Sequence, residues 1–85
     1  MLKKYNELLE MLESKYKVDR FCDLGEESCY ISSKNNYIAS VYIESDYIQI
    51  FIDEKQEDEW YTIESRNYKN IKYAYNFIKR FLEDN

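Results

Sequence analysis

Apolar residues recur at helical spacing near both ends of the chain. Over residues 2–17 they return every three to four positions, which predicts an amphipathic helix with one buried face. The same spacing over residues 67–83 predicts a second helix, for which Ser65 or Asn67 can serve as the N-cap. The predicted buried faces comprise Leu2, Tyr5, Leu8, Leu9, Leu12 and Tyr16 in the first helix, and Ile71, Ala74, Tyr75, Ile78, Phe81 and Leu82 in the second.

Between these helices the period of the apolar residues changes to two, which is typical of strands with one buried face. β-Branched and aromatic residues, which favour strands, are frequent in this part of the chain. Residues 18–27 are ambiguous, because they fit either a short strand or an irregular edge before a tight turn at Gly25. The strand-like segments are 29–33, 37–44, 47–53 and, after a charged tip at 54–58, 59–64.

The order of these elements predicts an α+β fold in a single domain, residues 1–85. The expected architecture is an N-terminal helix, a three- to four-stranded antiparallel β-meander and a C-terminal helix. We expect both helices to pack on one face of the sheet, which leaves the other face open. Alternation along the strands then places Ala39, Val41, Ile43, Ile48, Ile50 and Ile52 on the helix side, and Ile38, Tyr42, Tyr47 and Phe51 on the open face.

The apolar residues predicted on the open face form a patch that is typical of a contact site on a soluble monomer. Ten tyrosines in the chain are compatible with this interpretation, since tyrosine is enriched at interfaces. Two alternatives remain open. One is a sheet partly shielded by its own loops, and the other is a homodimer formed through Ile38, Tyr42, Tyr47 and Phe51.

The net charge of −5 argues against free nucleic acid as the main ligand, because such binding depends on cations that neutralise phosphates. The same charge disfavours an anionic membrane surface, and no apolar run is long enough to span a bilayer. The charged N-terminus lacks the apolar core of a signal peptide, so we expect a cytoplasmic protein. Lys, Asn, Ile and Tyr have A/T-rich codons, and their abundance indicates an A/T-rich bacterial host or one of its phages.

The two cysteines and the lack of histidine restrict the available chemistry. Cys22 and Cys29 cannot complete a four-ligand zinc site, and a reducing cytosol favours two buried thiols over a disulfide. No histidine is present to activate a Ser or Cys nucleophile, and one glycine cannot form a phosphate-binding loop. Asp53 and Glu64 form a carboxylate pair if their strands pair, but such pairs are common on exposed strands. We therefore expect no enzymatic activity, no metal site and no cofactor.

Acidic residues are concentrated in the segment 44–64, which has eight acidic side chains and one lysine. The segment 65–85 is basic, with five basic and two acidic side chains. A charged hairpin is most often a solvated tip that keeps a protein soluble and protects an edge strand. The alternative is that closely spaced carboxylates imitate phosphates and occupy a nucleic-acid-binding groove. Such a surface steers association with a basic partner.

Two acidic stretches, DEKQEDEW at 53–60 and IESDY at 43–47, lie in a Tyr-rich chain with helix–meander–helix order. In this character the chain resembles small acidic phage-encoded inhibitors of bacterial nucleases, a group that includes anti-CRISPR proteins and uracil-DNA glycosylase inhibitors. Some proteins of this group act as DNA mimics. The resemblance implies an inhibitor with a target such as a CRISPR effector. The basic C-terminal helix departs from it, which implies that only one side of the molecule is a mimic.

The leading hypothesis is a non-enzymatic protein inhibitor whose acidic hairpins bind a basic nucleic-acid-binding protein or nuclease, without direct contact to nucleic acid. Carboxylates would replace phosphates in this interface, and aromatic side chains would anchor it. A homodimeric structural or assembly module is one alternative, and an immunity or antitoxin protein for a basic toxin is another. The candidate partner-binding residues are Glu44, Asp46, Tyr47, Asp53, Glu54, Glu57, Asp58, Glu59, Trp60 and Tyr61.

Overall fold

The computed structural model of the chain describes residues 2–23, 26–32 and 36–83. These residues form a helix at each end and five strands between them. The predicted α+β class and the two terminal helices are therefore confirmed. The elements are α1 (Leu2–Glu13), β1 (Lys17–Asp23), β2 (Glu26–Ser32), β3 (Tyr37–Ile43), β4 (Ile48–Gln56), β5 (Glu59–Tyr68) and α2 (Ile71–Glu83).

The strands form one antiparallel sheet in chain order, from β1 to β5. The predicted number of three to four strands was too low, because the ambiguous residues 18–27 include most of β1 and the start of β2. Consecutive charged residues, Asp19 and Arg20, interrupt the alternation in β1. An edge strand also buries little of either face, so its pattern is weak. The turn predicted at Gly25 lies outside the described residues.

The hydrophobic core lies between the two helices and one face of the sheet. The register aligns Ile31, Ala39 and Ile52 across three adjacent strands, and all three are fully buried. Both helices contribute to the same cluster, which confirms that they pack on one face. The buried apolar residues are Tyr5, Leu8, Leu9, Leu12, Cys29, Ile31, Ala39, Val41, Ile48, Ile50, Ile52, Ala74, Phe77, Ile78 and Leu82. Of these, Phe77 was absent from the predicted face of α2.

Helix α1 ends at Glu13, four residues earlier than predicted. The Ser14 hydroxyl donates a 2.7 Å hydrogen bond to the Met11 carbonyl, and the amides of residues 15 and 16 both donate to the Leu12 carbonyl. These bonds satisfy carbonyl groups that a helix end leaves without intrahelical partners. Tyr16 therefore lies beyond the helix, where it is half-buried against the core.

Helix α2 begins at Ile71 rather than at residue 67. Asn70 is its N-cap, since its side-chain oxygen accepts hydrogen bonds from the amides of Lys72 at 2.9 Å and Tyr73 at 3.3 Å. The predicted caps, Ser65 and Asn67, belong to β5 instead. A sequence rich in Ser and Asn offers several N-caps, and the length of β5 decides which of them is used.

Candidate protein-binding surface

The β4–β5 hairpin extends past the part of the sheet that the helices cover. Every side chain from Lys55 to Ile63 is exposed, on both faces of the hairpin, whereas Ile50 and Ile52 earlier in β4 are fully buried. We call residues 53–64 the acidic arm. Because neither of its faces is buried against a helix, both are accessible to another molecule.

A β-bulge and a two-residue turn build the arm. Ile52 pairs with Glu64, but Asp53 pairs with Thr62, so Ile63 is an extra residue in β5. A bulge of this kind increases the local twist of a strand pair. The turn consists of Glu57 and Asp58, and β4 continues through Gln56. The predicted charged tip at 54–58 was therefore too long, because three of its residues pair with β5.

Five of the six carboxylates of the arm have no salt-bridge partner among the described residues. Within the described parts of the chain, Asp53, Glu54 and the three tip residues 57–59 form no salt bridge. At the base of the arm, Glu64 does pair with Arg66, at 3.4 Å. Five carboxylates on one hairpin thus remain without a cation, which concentrates negative potential at its end.

Hydrogen bonds keep one of these carboxylates ionised. The Gln56 side-chain amide donates to Glu54 at 2.7 Å, and the Tyr37 hydroxyl donates to the same carboxylate. Both bonds favour the charged form and lower the pKa of Glu54. The bond to Glu54 raises the pKa of Tyr37 correspondingly. Two donors therefore stabilise the ionised form of Glu54.

The two aromatic residues of the arm lie on opposite faces. Trp60 is opposite Lys55 and shares the open face of the sheet, whereas Tyr61 is opposite Glu54 on the helix side. Their exposed fractions are 45% and 46%. The Tyr61 hydroxyl donates a hydrogen bond to Glu59, which raises the pKa of Tyr61. A partner that contacts both rings must therefore reach both sides of the hairpin.

Three of the predicted partner-binding residues lie elsewhere. Glu44, Asp46 and Tyr47 form the β3–β4 turn, which the Glu44 amide closes by donating to the Tyr47 carbonyl at 2.9 Å. This turn is at the opposite end of β4 from the tip, roughly 30 Å away at about 3.3 Å per residue. The structure brings together the other seven: Asp53, Glu54, Glu57, Asp58, Glu59, Trp60 and Tyr61.

The open face carries the predicted residues Ile38, Tyr42 and Phe51, all half-buried, whereas Tyr47 precedes β4. The structure adds Phe21 of β1, a strand that the sequence left ambiguous, and Tyr30 of β2, whose alternation with the buried Cys29 and Ile31 is the signal that could have placed it on this face. The rings form a row across four strands, with centroid distances of 4.4 Å for Phe21–Tyr30, 6.3 Å for Phe21–Tyr42 and 5.7 Å for Tyr42–Phe51. Each ring therefore buries part of its neighbour, which reduces the apolar area of this face.

No cluster of metal-binding side chains occurs among residues 2–23, 26–32 and 36–83. In the same residues neither helix has the length and apolarity that crossing a bilayer requires. In comparisons with protein-family models, curated protein sequences and solved structures, the chain has no match.

Proposed function

We propose that the chain is a non-enzymatic inhibitor whose acidic arm occupies the nucleic-acid-binding surface of a basic partner protein. The observation that carries this proposal is the combination, on one projecting hairpin, of exposed aromatic rings with five carboxylates that form no salt bridge within the described part of the chain. A solvated tip would need the charges for solubility, but it would have no use for an exposed indole beside them.

The arm unites the two contributions that a tight interface requires. Its carboxylates attract lysine and arginine over long range and accelerate association, an effect that falls with ionic strength. Trp60 and Tyr61 supply the large, rigid apolar area that dominates the binding energy of interfaces. The like charges at the tip repel one another in the free protein, and a basic groove relieves that repulsion.

The shape of the arm favours a cleft over a flat surface as the binding site. Trp60 and Tyr61 project from opposite faces of a two-stranded ribbon, so a cleft can contact both at once. The clefts of nucleic-acid-binding proteins are lined by cations at the phosphate positions. The tip residues 57–59 would take those positions, and the aromatic rings would contact the walls.

Two charge-matched variants test this proposal. The tip variant Glu57→Gln, Asp58→Asn, Glu59→Gln removes three negative charges from the arm. The control variant Glu7→Gln, Glu10→Gln, Asp46→Asn removes three from other exposed positions that form no salt bridge among the described residues. Each immobilised protein is incubated with a bacterial lysate, and retained basic proteins are quantified by mass spectrometry at about physiological salt. We expect the tip variant alone to lose the partner.

A homodimer through the open face is the second candidate, and the row of aromatic rings on that face favours it. Sedimentation velocity measures it directly. Two results together would support this function instead of inhibition. The chain would form a dimer that Tyr42→Asp or Phe51→Asp dissociates, and it would retain no basic protein from the lysate.

A further inference from the structure

A concavity on the open face is formed partly by the acidic arm. Its volume is about 340 Å³, and it extends across all five strands of the sheet. Tyr30 and Trp60, each 45% exposed, are its aromatic components. The lining residues are Asp19, Tyr30, Ser32, Ile38, Ser40, Asp53 and Trp60.

The polar groups of the concavity are suited to a cation. Asp19 in β1 and Asp53 in β4 contribute carboxylates on the open face, and no lysine or arginine is among the described lining residues. Ser40 is only 5% exposed, yet it borders both this concavity and a neighbouring one of about 240 Å³. Its hydroxyl and that of Ser32 add hydrogen-bond acceptors at the floor.

We infer that this concavity receives an arginine side chain of the partner protein, an inference that rests on the proposed function. A guanidinium group is planar, stacks on aromatic rings and donates five hydrogen bonds. Tyr30 and Trp60 provide aromatic rings, and Asp19 or Asp53, which lie three strands apart, provides a charged acceptor. A lysine ammonium group would use the carboxylates but would gain less from the rings, because it is compact and strongly hydrated.

Among the described residues, Lys17 and Lys55 lie on the same face but outside the lining. Lys17 is opposite Ser32, and Lys55 is opposite Trp60, so each is at one margin of the concavity. They repel a cation that approaches from either margin. An arginine carried on a protein surface enters from above the sheet instead, and the carboxylates then bind it at short range.

The probe for this inference is N-acetyl-arginine methylamide, a small molecule whose only charged group is the guanidinium. Binding is followed by two-dimensional ¹H–¹⁵N NMR of the full chain, with the Trp60 indole signal as the main reporter. N-acetyl-citrulline methylamide is the neutral isostere. We expect saturable shifts at Trp60, Tyr30 and Ser40 with the arginine compound and none with the citrulline compound. Equal shifts with both compounds, or none with either, would overturn the inference.

Variants then locate the binding site of the probe. Asp19→Asn and Trp60→Leu should each weaken its affinity by about fivefold or more, since each removes a charged or an aromatic contact. Asp46→Asn, in the distant β3–β4 turn, should leave the affinity unchanged. Because Asp19 and Trp60 are exposed, these variants are expected to keep the fold, which the NMR spectrum checks. Equal affinity for all three variants would contradict the assignment.

The failure of this inference is distinguishable from the failure of the proposed function. If the probe does not bind while the tip variant still loses the partner, the arm is the inhibitor surface and the arginine site is wrong. If the probe binds in the concavity while the tip variant keeps the partner, the arginine site holds and the role of the tip carboxylates is wrong.

Discussion

The Thr62 hydroxyl donates a 2.6 Å hydrogen bond to the Asp53 carboxylate across the β4–β5 pair. These two residues form the first pair beyond the bulge, where the acidic arm begins. The bond fixes the Asp53 side chain on the open face, where it borders both concavities. One side-chain pair therefore connects the stability of the arm to the geometry of the candidate binding surface.

Replacing Thr62 with valine should destabilise the arm. The isosteric change removes the hydroxyl donor from Asp53, and we expect the free energy of unfolding to fall by about 0.5–1 kcal/mol. Urea denaturation measures this change, and amide hydrogen exchange should show faster opening of residues 53–62. Thr62→Ser retains the hydroxyl and is the control. Unchanged stability in the valine variant would contradict a stabilising role for this hydrogen bond.

Replacing Glu57 with glycine should stabilise the protein. Glu57 has a φ of 60°, a left-handed conformation that glycine adopts without the steric penalty of a Cβ atom. The change also removes one of three adjacent carboxylates. We expect the free energy of unfolding to rise by about 1 kcal/mol. Asp58→Gly removes a charge at a position without this conformation, and it should give no such gain. Equal gains in both variants would assign the effect to charge alone.

The Tyr16–Glu83 pair should make stability depend on pH. The Tyr16 hydroxyl donates to Glu83 at 2.7 Å, and this bond, aided by Lys15 and Lys79, lowers the pKa of Glu83. Because the pKa of Glu83 is lower in the folded chain than in the unfolded chain, the stabilisation that its interactions provide is complete above the unfolded pKa of about 4.3. This stabilisation is lost as the pH falls through the lowered pKa of Glu83 in the folded chain.

Replacing Tyr16 with phenylalanine should therefore raise the pKa of Glu83 toward its ordinary value. Carbon-detected NMR titration of the Glu83 carboxyl group measures the shift. The melting temperature should fall near neutral pH, and the difference from the unmodified chain should shrink in acid. Tyr73→Phe, at an exposed position in α2, is the control. A Glu83 pKa that stays unchanged in the Tyr16 variant would contradict this account.

The Cys29 thiol should be unreactive in the folded protein. Burial raises its pKa to about 11, even though the Tyr5 hydroxyl and Arg20 act in the opposite direction. In a Cys22→Ser background, a thiol reagent at about pH 8 should label Cys29 only as fast as the chain unfolds. Labelling that matches the rate of a free thiol in native buffer would contradict the buried position.

The sequence was most informative where a strand has one buried face. In β4, the alternation of Ile48, Ile50 and Ile52 with polar and aromatic residues correctly predicted which side packs against the helices. It was least informative at the edges of the sheet. β1 buries little apolar surface, so its residues have no reason to alternate strictly, and Phe21 could not be placed on the open face.

The candidate surface was predicted only in part, because charge density along the chain does not determine distance in space. Asp46 and Asp53 are close in sequence, but an extended strand separates the β3–β4 turn from the arm. The β-bulge between Ile52 and Asp53 could not be predicted from the sequence either. It shifts the pairing of β4 with β5 by one residue, and this shift places Trp60 on the same face as Asp53. The concentration of carboxylates around the tip, by contrast, could be read from the sequence directly.

Competition with DNA tests the central claim most directly. The immobilised chain is loaded from a lysate of an A/T-rich bacterium, then treated with a double-stranded oligonucleotide or with an uncharged polymer at the same ionic strength. We predict that the unmodified chain and the charge-matched control variant retain a basic nucleic-acid-binding protein, whereas the tip variant does not. The oligonucleotide should release the retained protein, and the uncharged polymer should not. Retention of the same protein by the tip variant, or a complex that excess DNA leaves intact, would contradict the claim that the acidic arm occupies a nucleic-acid-binding surface.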